Sequence, residues 1–447
     1  MKITKTICLT ITLILGLAFT AYPQTHEFSL KEAQDYAVLH NYQTRNAVID
    51  IAIAARQIKE NLASGLPQMN ASIGYNNFIN LATQLIPAEF FGGEPGTYME
   101  VHFGTKNNAS VQAQVSQLLY SGAYFVGLKM AKEAKNLSEL QLEQAKQDVR
   151  QAIANAYYLV LVAQRNLDLM KKTIATMEAL LKNTRAMYQQ GFIEETDVDK
   201  LQLLLSNLKT NLLTAENQIV SAEYLLKFNM GLSVEDQITL TDNLDFLLLS
   251  VDPGSALKYR FDPSKHISMR MMDVQQNISE LQVKMAKSAY LPTASAFLSQ
   301  TENAQRNSFN FFDFNQKWFP TSLFGVQVSI PVFSSGQRMQ KVREASLQLE
   351  KAMNTKRQIS ESLSMAALTA RNDFQVAVQT YHNKKDNYDL AVKIYQKEQI
   401  RYKTGIASST DLHQSYNTLL EAQGTYLGSI LDMLNKKIAL DKAYSKI

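Results

Sequence analysis

The chain has 447 residues, of which 46% are hydrophobic and 19% charged, too apolar for a disordered chain and long enough for a large folded body. Its 45 Lys and Arg against 41 Asp and Glu leave a net charge of +4 spread thinly along the sequence. The concentrated basic footprint of a nucleic-acid binder is missing, and no nucleic-acid partner is expected.

The N-terminus carries the pattern of an export signal: Lys2 and Lys5, an apolar run from Ile7 to Phe19, then the small residues Thr20 and Ala21. That run is too short to cross a bilayer as a helix. Residues 1–22 are therefore read as a signal peptide, with cleavage between 18 and 24. The single cysteine, Cys8, falls inside it, so the mature chain is expected to hold no thiol, disulfide or lipidated cysteine. No later stretch is apolar enough for a membrane-spanning helix, which excludes an inner-membrane transporter or pump.

A helix is predicted from Ser29, where Ser29 and Glu32 form a Ser-x-x-Glu capping box, to about Ser64. Leu66-Pro67 follows, and then Met69, Ala71, Ile73 and Tyr75 alternate with Asn70, Ser72, Gly74 and Asn76. Period two means strand, here over 68–80. A second alternation, Ala109, Val111, Ala113 and Val115 against Ser110, Gln112, Gln114 and Ser116, gives a strand over 107–120, joined to the first by a long polar loop.

The nine prolines leave residues 96 to 252 and 332 to 447 without a helix breaker. In the first tract Val149, Ile153, Ala156, Val160, Ala163, Leu167, Met170, Ile174, Met177 and Leu181 step by four and three, a coiled-coil seam. It predicts a helix over 122–190, a glycine turn at Gly191 and a return helix over 196–231. A connector over 232–263, with Pro253, Gly254 and Pro263, is expected to pack against the helical body.

The pattern then repeats. A helix from about Ser264 to Tyr290 precedes Leu291-Pro292, strands over 293–301 and 323–333, a helix over 336–404 and a return helix over 410–446. The spacing from Gly122 to Gly191 equals that from Gly336 to Gly405, so two helices of about 100 Å each must reach one height. The seam of the last helix is less regular, with Leu412, Tyr416, Leu419, Tyr426, Ile430 and Met433. The organisation is thus a first repeat over 23–231, the connector, and a second repeat over 264–447.

Strands of this length suit a tilted crossing of a bilayer. Four strands cannot close a barrel, and an open edge in lipid leaves backbone groups unpaired, so several copies must share one barrel. The loops at 80–107 and 302–321 would face the exterior, with Trp318, Phe319, Tyr75, Tyr120 and Phe333 near strand ends where an aromatic girdle sits. The competing reading from another class is an exported periplasmic coiled-coil scaffold without a pore, which leaves the four alternating segments without a purpose.

Chemistry-bearing patterns are missing. The six histidines are scattered, with no metal-ligand spacing, and there is no phosphate loop or nucleophile elbow. The chain is expected to be no enzyme and to need no cofactor or metal.

Several segments resemble the TolC family of outer-membrane efflux proteins: Phe28-Ser-Leu-Lys-Glu-Ala33, Ala63-Ser-Gly-Leu-Pro-Gln-Met-Asn-Ala-Ser72, Ile330-Pro-Val-Phe-Ser-Ser-Gly-Gln-Arg338, and the paired turns Tyr188-x-x-Gly191 with Thr196-Asp197-Val198 and Tyr402-x-x-Gly405 with Thr410-Asp411-Leu412. The resemblance spans nearly the whole mature chain. It implies an α+β membrane protein, a homotrimer whose twelve strands form one outer-membrane β-barrel and whose helices form a periplasmic tunnel. Cargo, small molecules or ions in efflux or proteins in type I secretion, would be driven by an inner-membrane pump through a periplasmic adaptor. By motif position the pore gate falls to Asp197, Tyr402 and Asp411, with Tyr402 bonded to Asp197, and adaptor contact to Gln190, Gly191, Phe192, Thr404, Gly405 and Ile406. Ala407 stands where the family can carry a locking arginine and Gln414 where it can carry a second carboxylate, so a hydrogen-bonded closure is expected instead of a salt-bridge lock. Read from the residues alone, Thr196-Asp197 and Thr410-Asp411 are helix caps.

Overall fold

The computed structural model describes residues 25–256 and 258–447; the signal peptide and Cys8 lie outside the described residues. In chain order the elements are β1 (Thr25–Phe28), α1 (Leu30–His40), α2 (Tyr42–Ala63), β2 (Gln68–Asn77), β3 (Thr83–Pro87), β4 (Tyr98–His102), β5 (Asn107–Ser121), α3 (Gly122–Gln189), α4 (Glu195–Met230), β6 (Gln237–Leu240), α5 (Leu244–Ser250), α6 (Pro253–Ala256), α7 (Ile267–Ser288), β7 (Thr293–Arg306), β8 (Phe319–Ser329), α8 (Gln337–Lys403) and α9 (Ser409–Ala443). They fall into two compact units that cut across the sequence repeat. One gathers residues up to Asp50, Glu139–Met272 and Lys356–Ile447; the other gathers Ile51–Ser138 and Asp273–Thr355.

The second unit is built on an antiparallel sheet in the order β2-β5-β7-β8. The register Met69↔Val115↔Leu298↔Phe324 and its alternating neighbours put Ala71, Ile73, Val111, Ala113, Ala294, Ala296, Val326 and Val328 on one face. Asn70, Ser72, Ser110, Gln112, Gln114, Ser299 and Thr301 share the other. Most of this apolar face is uncovered, with Ile73 83% exposed and Phe324 70%. A soluble sheet would bury such a face.

The strands β2 and β8 are the two edges. β7 runs on to Arg306, and β8 begins at Phe319 and ends at Ser329, short of the expected 333. Pro331 has no N–H to give a ladder, and Ser335 has φ 46°, which turns the chain into α8. The expected loop over 80–107 holds a hairpin of its own, in which β3 pairs antiparallel with β4 from Thr83↔His102 to Pro87↔Tyr98.

The first unit is helical, centred on a seam of Ile153, Tyr157, Val160, Ala222, Leu226, Met230, Leu427, Ile430 and Leu434. Leu244 of the connector is buried in this cluster, with Ile238, Leu240 and Leu247 packed against it. Tyr157 fastens the connector to the chain entry: its hydroxyl donates to the Phe28 carbonyl at 3.0 Å and accepts from the Asp242 N–H at 3.3 Å. Burial pushes this phenol above its ordinary range. Parallel pairing of β1 with β6 closes the same corner.

Ser29 and Glu32 form the expected capping box. The helix that follows is not continuous to Ser64, because Asn41 is extended with ψ 139° and separates α1 from α2. Its side chain gives the reason. Asn41 Oδ1 accepts from the Gln43 N–H at 2.7 Å, as at a helix start, and Nδ2 donates to the Asn229 carbonyl at 2.7 Å. A Cβ on Gly231 would lie 2.4 Å from the His40 carbonyl oxygen, so glycine is what lets the end of α4 meet this break.

The last helix explains its irregular seam. Its buried stripe is Leu412, Tyr416, Leu419, Gln423, Leu427, Ile430, Met433 and Leu434, with Leu427 buried in place of Tyr426. Gln423 occupies a seam position and donates from Nε2 to Asn166 Oδ1 at 3.1 Å. A polar residue inside the stripe hides the period from a purely apolar count.

Candidate functional site

The family-matched residues meet at the two helical turns of the first unit. α3 ends through Gly191, φ 78°, with the Phe192 N–H donating to the Met187 carbonyl and the Gly191 N–H to that of Tyr188. α8 ends through Gly405, φ 74°, with Ile406 and Gly405 donating to Arg401 and Tyr402. These are left-handed C-terminal stops that satisfy the last carbonyls of each helix. The space around both glycines is open.

Beneath the turns the hairpins α3–α4 and α8–α9 share one core. Ile174, Met177, Leu181, Leu201, Leu205, Leu208, Tyr395, Tyr402, Leu412 and Tyr416 are its main side chains. Above it Gln190, Gly191, Phe192, Thr404, Gly405 and Ile406 are all exposed, Phe192 by 72% and Ile406 by 69%. Two apolar side chains thus stand in water beside two bare glycine backbones.

The starts of the return helices differ. At α9 the cap is Ser408, in a box with Asp411: Asp411 Oδ2 accepts from the Ser408 N–H at 3.1 Å and hydroxyl at 2.8 Å, while the Asp411 N–H donates back at 3.2 Å. Those hydrogen bonds, side chain first, hold the exposed Asp411 carboxyl below its ordinary 3.8. Thr410, expected as a cap, does not fill that role. The Ser-x-x-Asp spacing from Ser408 to Asp411 was the signal for this box, as Ser29-x-x-Glu32 was for α1.

At α4 the cap position is Glu194, which makes no side-chain capping bond. The expectation that Thr196-Asp197 cap this helix is therefore corrected. Thr196 donates to the Glu194 carboxylate at 3.2 Å, and Asp197 accepts from the hydroxyl of Ser409 in the other hairpin. Lys200 Nζ reaches Ser409 Oγ at 3.4 Å and Thr410 Oγ1 at 3.5 Å. Ser409 is buried and Asp197 half-buried, so the bond is shielded from water. Ser409 and Lys200 were not singled out from the sequence, because nothing in either local pattern shows that two residues so far apart in the chain will meet.

Tyr402 is 6% exposed and lies in the shared core. Its hydroxyl has no hydrogen-bond partner, nor do those of Tyr395, Tyr416 and Thr184. Burial raises the Tyr402 phenol above its ordinary value, Thr184 beside it offsets part of this, and the nearby Asp197 carboxylate adds to it. The structure therefore brings Asp197 to Ser409, leaves Tyr402 in the core without a bond to Asp197, and keeps Asp411 at the surface. Among the described residues no cluster of three or more His, Cys, Asp or Glu is placed to hold a metal ion, and no helix is long and apolar enough to cross a membrane.

Comparison with known proteins bears on the whole chain. The family model described as outer membrane efflux protein matches residues 35–232 and 264–445. The outer membrane protein TolC of Salmonella enteritidis is 20% identical over 445 residues, covering 96% of this chain and 85% of that one. TolC of Vibrio cholerae is 21% identical over 385 residues, covering 84% and 80%. Among solved structures, CusC superposes with a TM-score of 0.72 at 14% identity, covering 95% of both chains. The Campylobacter jejuni CmeC outer membrane channel gives 0.67 at 17% identity, covering 93% and 85%. With two repeats of strand pair and helical hairpin matched by one family model along their length, the chain belongs to the outer membrane efflux protein family.

Proposed function

We propose that this chain is one of three identical protomers of an outer-membrane efflux channel, a passive exit whose driving energy comes from an inner-membrane pump through a periplasmic adaptor. The observation that carries this reading is the four-stranded sheet, apolar on one face and polar on the other, with two unpaired edges. In lipid those edges must be paired. Three copies joined edge to edge make a closed barrel with the apolar face outward and the polar face toward a water-filled lumen. Detergent-extracted protein should then have about three times the protomer mass, and stable monomers with full sheet content would contradict it. No reaction is required of such a duct, and the chain acts as a channel and not as an enzyme.

The turns serve as the periplasmic mouth. Asp411 is exposed and its pKa is lowered, so threefold repetition would set a ring of carboxylates around the opening, attracting cations and repelling one another. Asp197 acts differently, through its bond to Ser409, which ties the starts of α4 and α9 together. Any opening that separates these helices has to break that bond, a closure by hydrogen bonding of the kind Ala407 and Gln414 suggest. Tyr402 supports the closed packing from inside the core. Gln190, Gly191, Phe192, Thr404, Gly405 and Ile406 offer the adaptor a surface of apolar side chains and accessible backbone. Planar-bilayer recording tests the gate: Asp411→Asn should weaken cation selectivity and divalent block, and Ser409→Ala should raise basal conductance. Trimers of both variants that conduct like the wild type would remove these residues from the gate.

A further inference from the structure

The segment between β7 and β8 has a placement that the channel reading does not require. Residues 307–318 fold back over one face of the sheet. Tyr75 meets Phe309 at 5.4 Å and Phe311 at 5.8 Å between ring centroids. Asn107 donates to the Asn307 carbonyl at 3.2 Å. Arg306, 8% exposed, donates to the Asn310 carbonyl and stacks its guanidinium on Phe311 at 5.2 Å and Trp318 at 6.0 Å. Its Nη2 has no hydrogen-bond partner, so on that side the cation is held by rings.

The register fixes which face this is. Tyr75, Ala109 and Ala304 are cross-strand partners, as are Asn107 and Arg306. They alternate in phase with Met69, Ile73, Val111 and Leu298, the apolar face, and out of phase with the polar one. On β7 and β8 this face turns polar at Gln300, Glu302 and Ser322, where Gln300 donates to Glu302 and accepts from Ser322, while on β2 and β5 it stays apolar through Ile73 and Val111 to Tyr75 and Ala109. The segment begins just past Arg306, the last residue of this face on β7.

We infer that residues 307–318 of each protomer form an aromatic flap folded outward from the barrel, with Phe309, Phe312 and Phe314 inserted at the headgroup boundary of the outer leaflet. The inference rests on the outer-membrane barrel reading and adds a lipid contact to it. Phe312 is 81% exposed and Phe314 fully so, a burden in water but not beside lipid, and the band they extend is itself the lipid-facing surface. Asp313, Asn315, Gln316 and Lys317 are interleaved with them, a mixture suited to the interface and not to the acyl core. Pinning by Arg306 and Asn107 keeps the segment on this face and out of the lumen.

Trp318 is the only tryptophan in the chain, which makes the unmodified protein its own probe. Purified channel is reconstituted into phosphatidylcholine vesicles and into the same lipid brominated near the headgroup end or near the methyl end of its acyl chains. Headgroup-end bromine should roughly halve the Trp318 emission, methyl-end bromine should do less, and aqueous iodide little. Flotation of the vesicles reports insertion separately. Protein that floats with lipid but whose emission ignores bromine and yields to iodide overturns the flap while leaving the barrel intact. Protein that fails to float overturns both.

Discussion

The turns at Gly191 and Gly405 share a left-handed glycine, an exposed apolar neighbour and an equal spacing from Gly122 and Gly336, yet their return helices begin differently. α9 is capped locally by Ser408 and Asp411. α4 has no side-chain cap, and its first-turn carboxylate, Asp197, reaches the other hairpin. Duplication thus preserved the features that set length and stop, while the polar side chains diverged into a local cap and a link between hairpins. The lesson is that a repeated motif predicts geometry more safely than it predicts the role of each polar residue.

The largest effect is expected where the turns are alike. Gly191→Trp and Gly405→Trp should each abolish export while trimers persist, since a side chain both strains a left-handed position and covers the proposed adaptor surface; resistance or secretion assays beside size measurement check this. Intact export in either variant would mean that the turns are not equivalent. Next comes the link. Asp197→Ala and Ser409→Ala should each destabilise the helical unit by about 1 to 2 kcal/mol, read by urea unfolding, and the double variant should cost little more than either single one. Additive losses would show that the bond is not a shared interaction.

The local cap gives a pH-dependent effect. The Asp411 carboxyl titrates below its ordinary 3.8 in the folded chain, so its stabilisation is present above that value and is lost as pH falls through the lower folded one. Hydrogen exchange at the turn amides, corrected for intrinsic rate, should show protection at Gly405–Asp411 falling in that acid range, and Asp411→Asn should flatten this component. The smallest effect belongs to the core beneath. Because the Tyr402 hydroxyl is buried without a partner, Tyr402→Phe should leave stability unchanged or raise it by less than about 1 kcal/mol. A clear loss would reveal a hydrogen bond, to the neighbouring Thr184 or within the assembled trimer.

The sequence by itself determined the long helices, the four main strands and their two-faced character. These follow from local steric and solvation rules: proline-free tracts carry long helices, period two separates Ile73 from Ser72, and glycine stops α3 and α8. The Ser29 box was legible for the same reason, and the Ser408 box could have been. Only the tertiary structure decided that Asn41 breaks the first helix, that Gln423 sits in a largely apolar seam, that Tyr402 is buried without a bond to Asp197, and that the segment after Arg306 lies on the apolar face of the sheet. Each depends on a partner distant in sequence, Asn229 for Asn41, Asn166 for Gln423, Ser409 for Asp197 and Tyr75 for Phe309. A side chain's hydrogen-bonding and packing choices are settled by which neighbour arrives, and that neighbour is supplied by the fold.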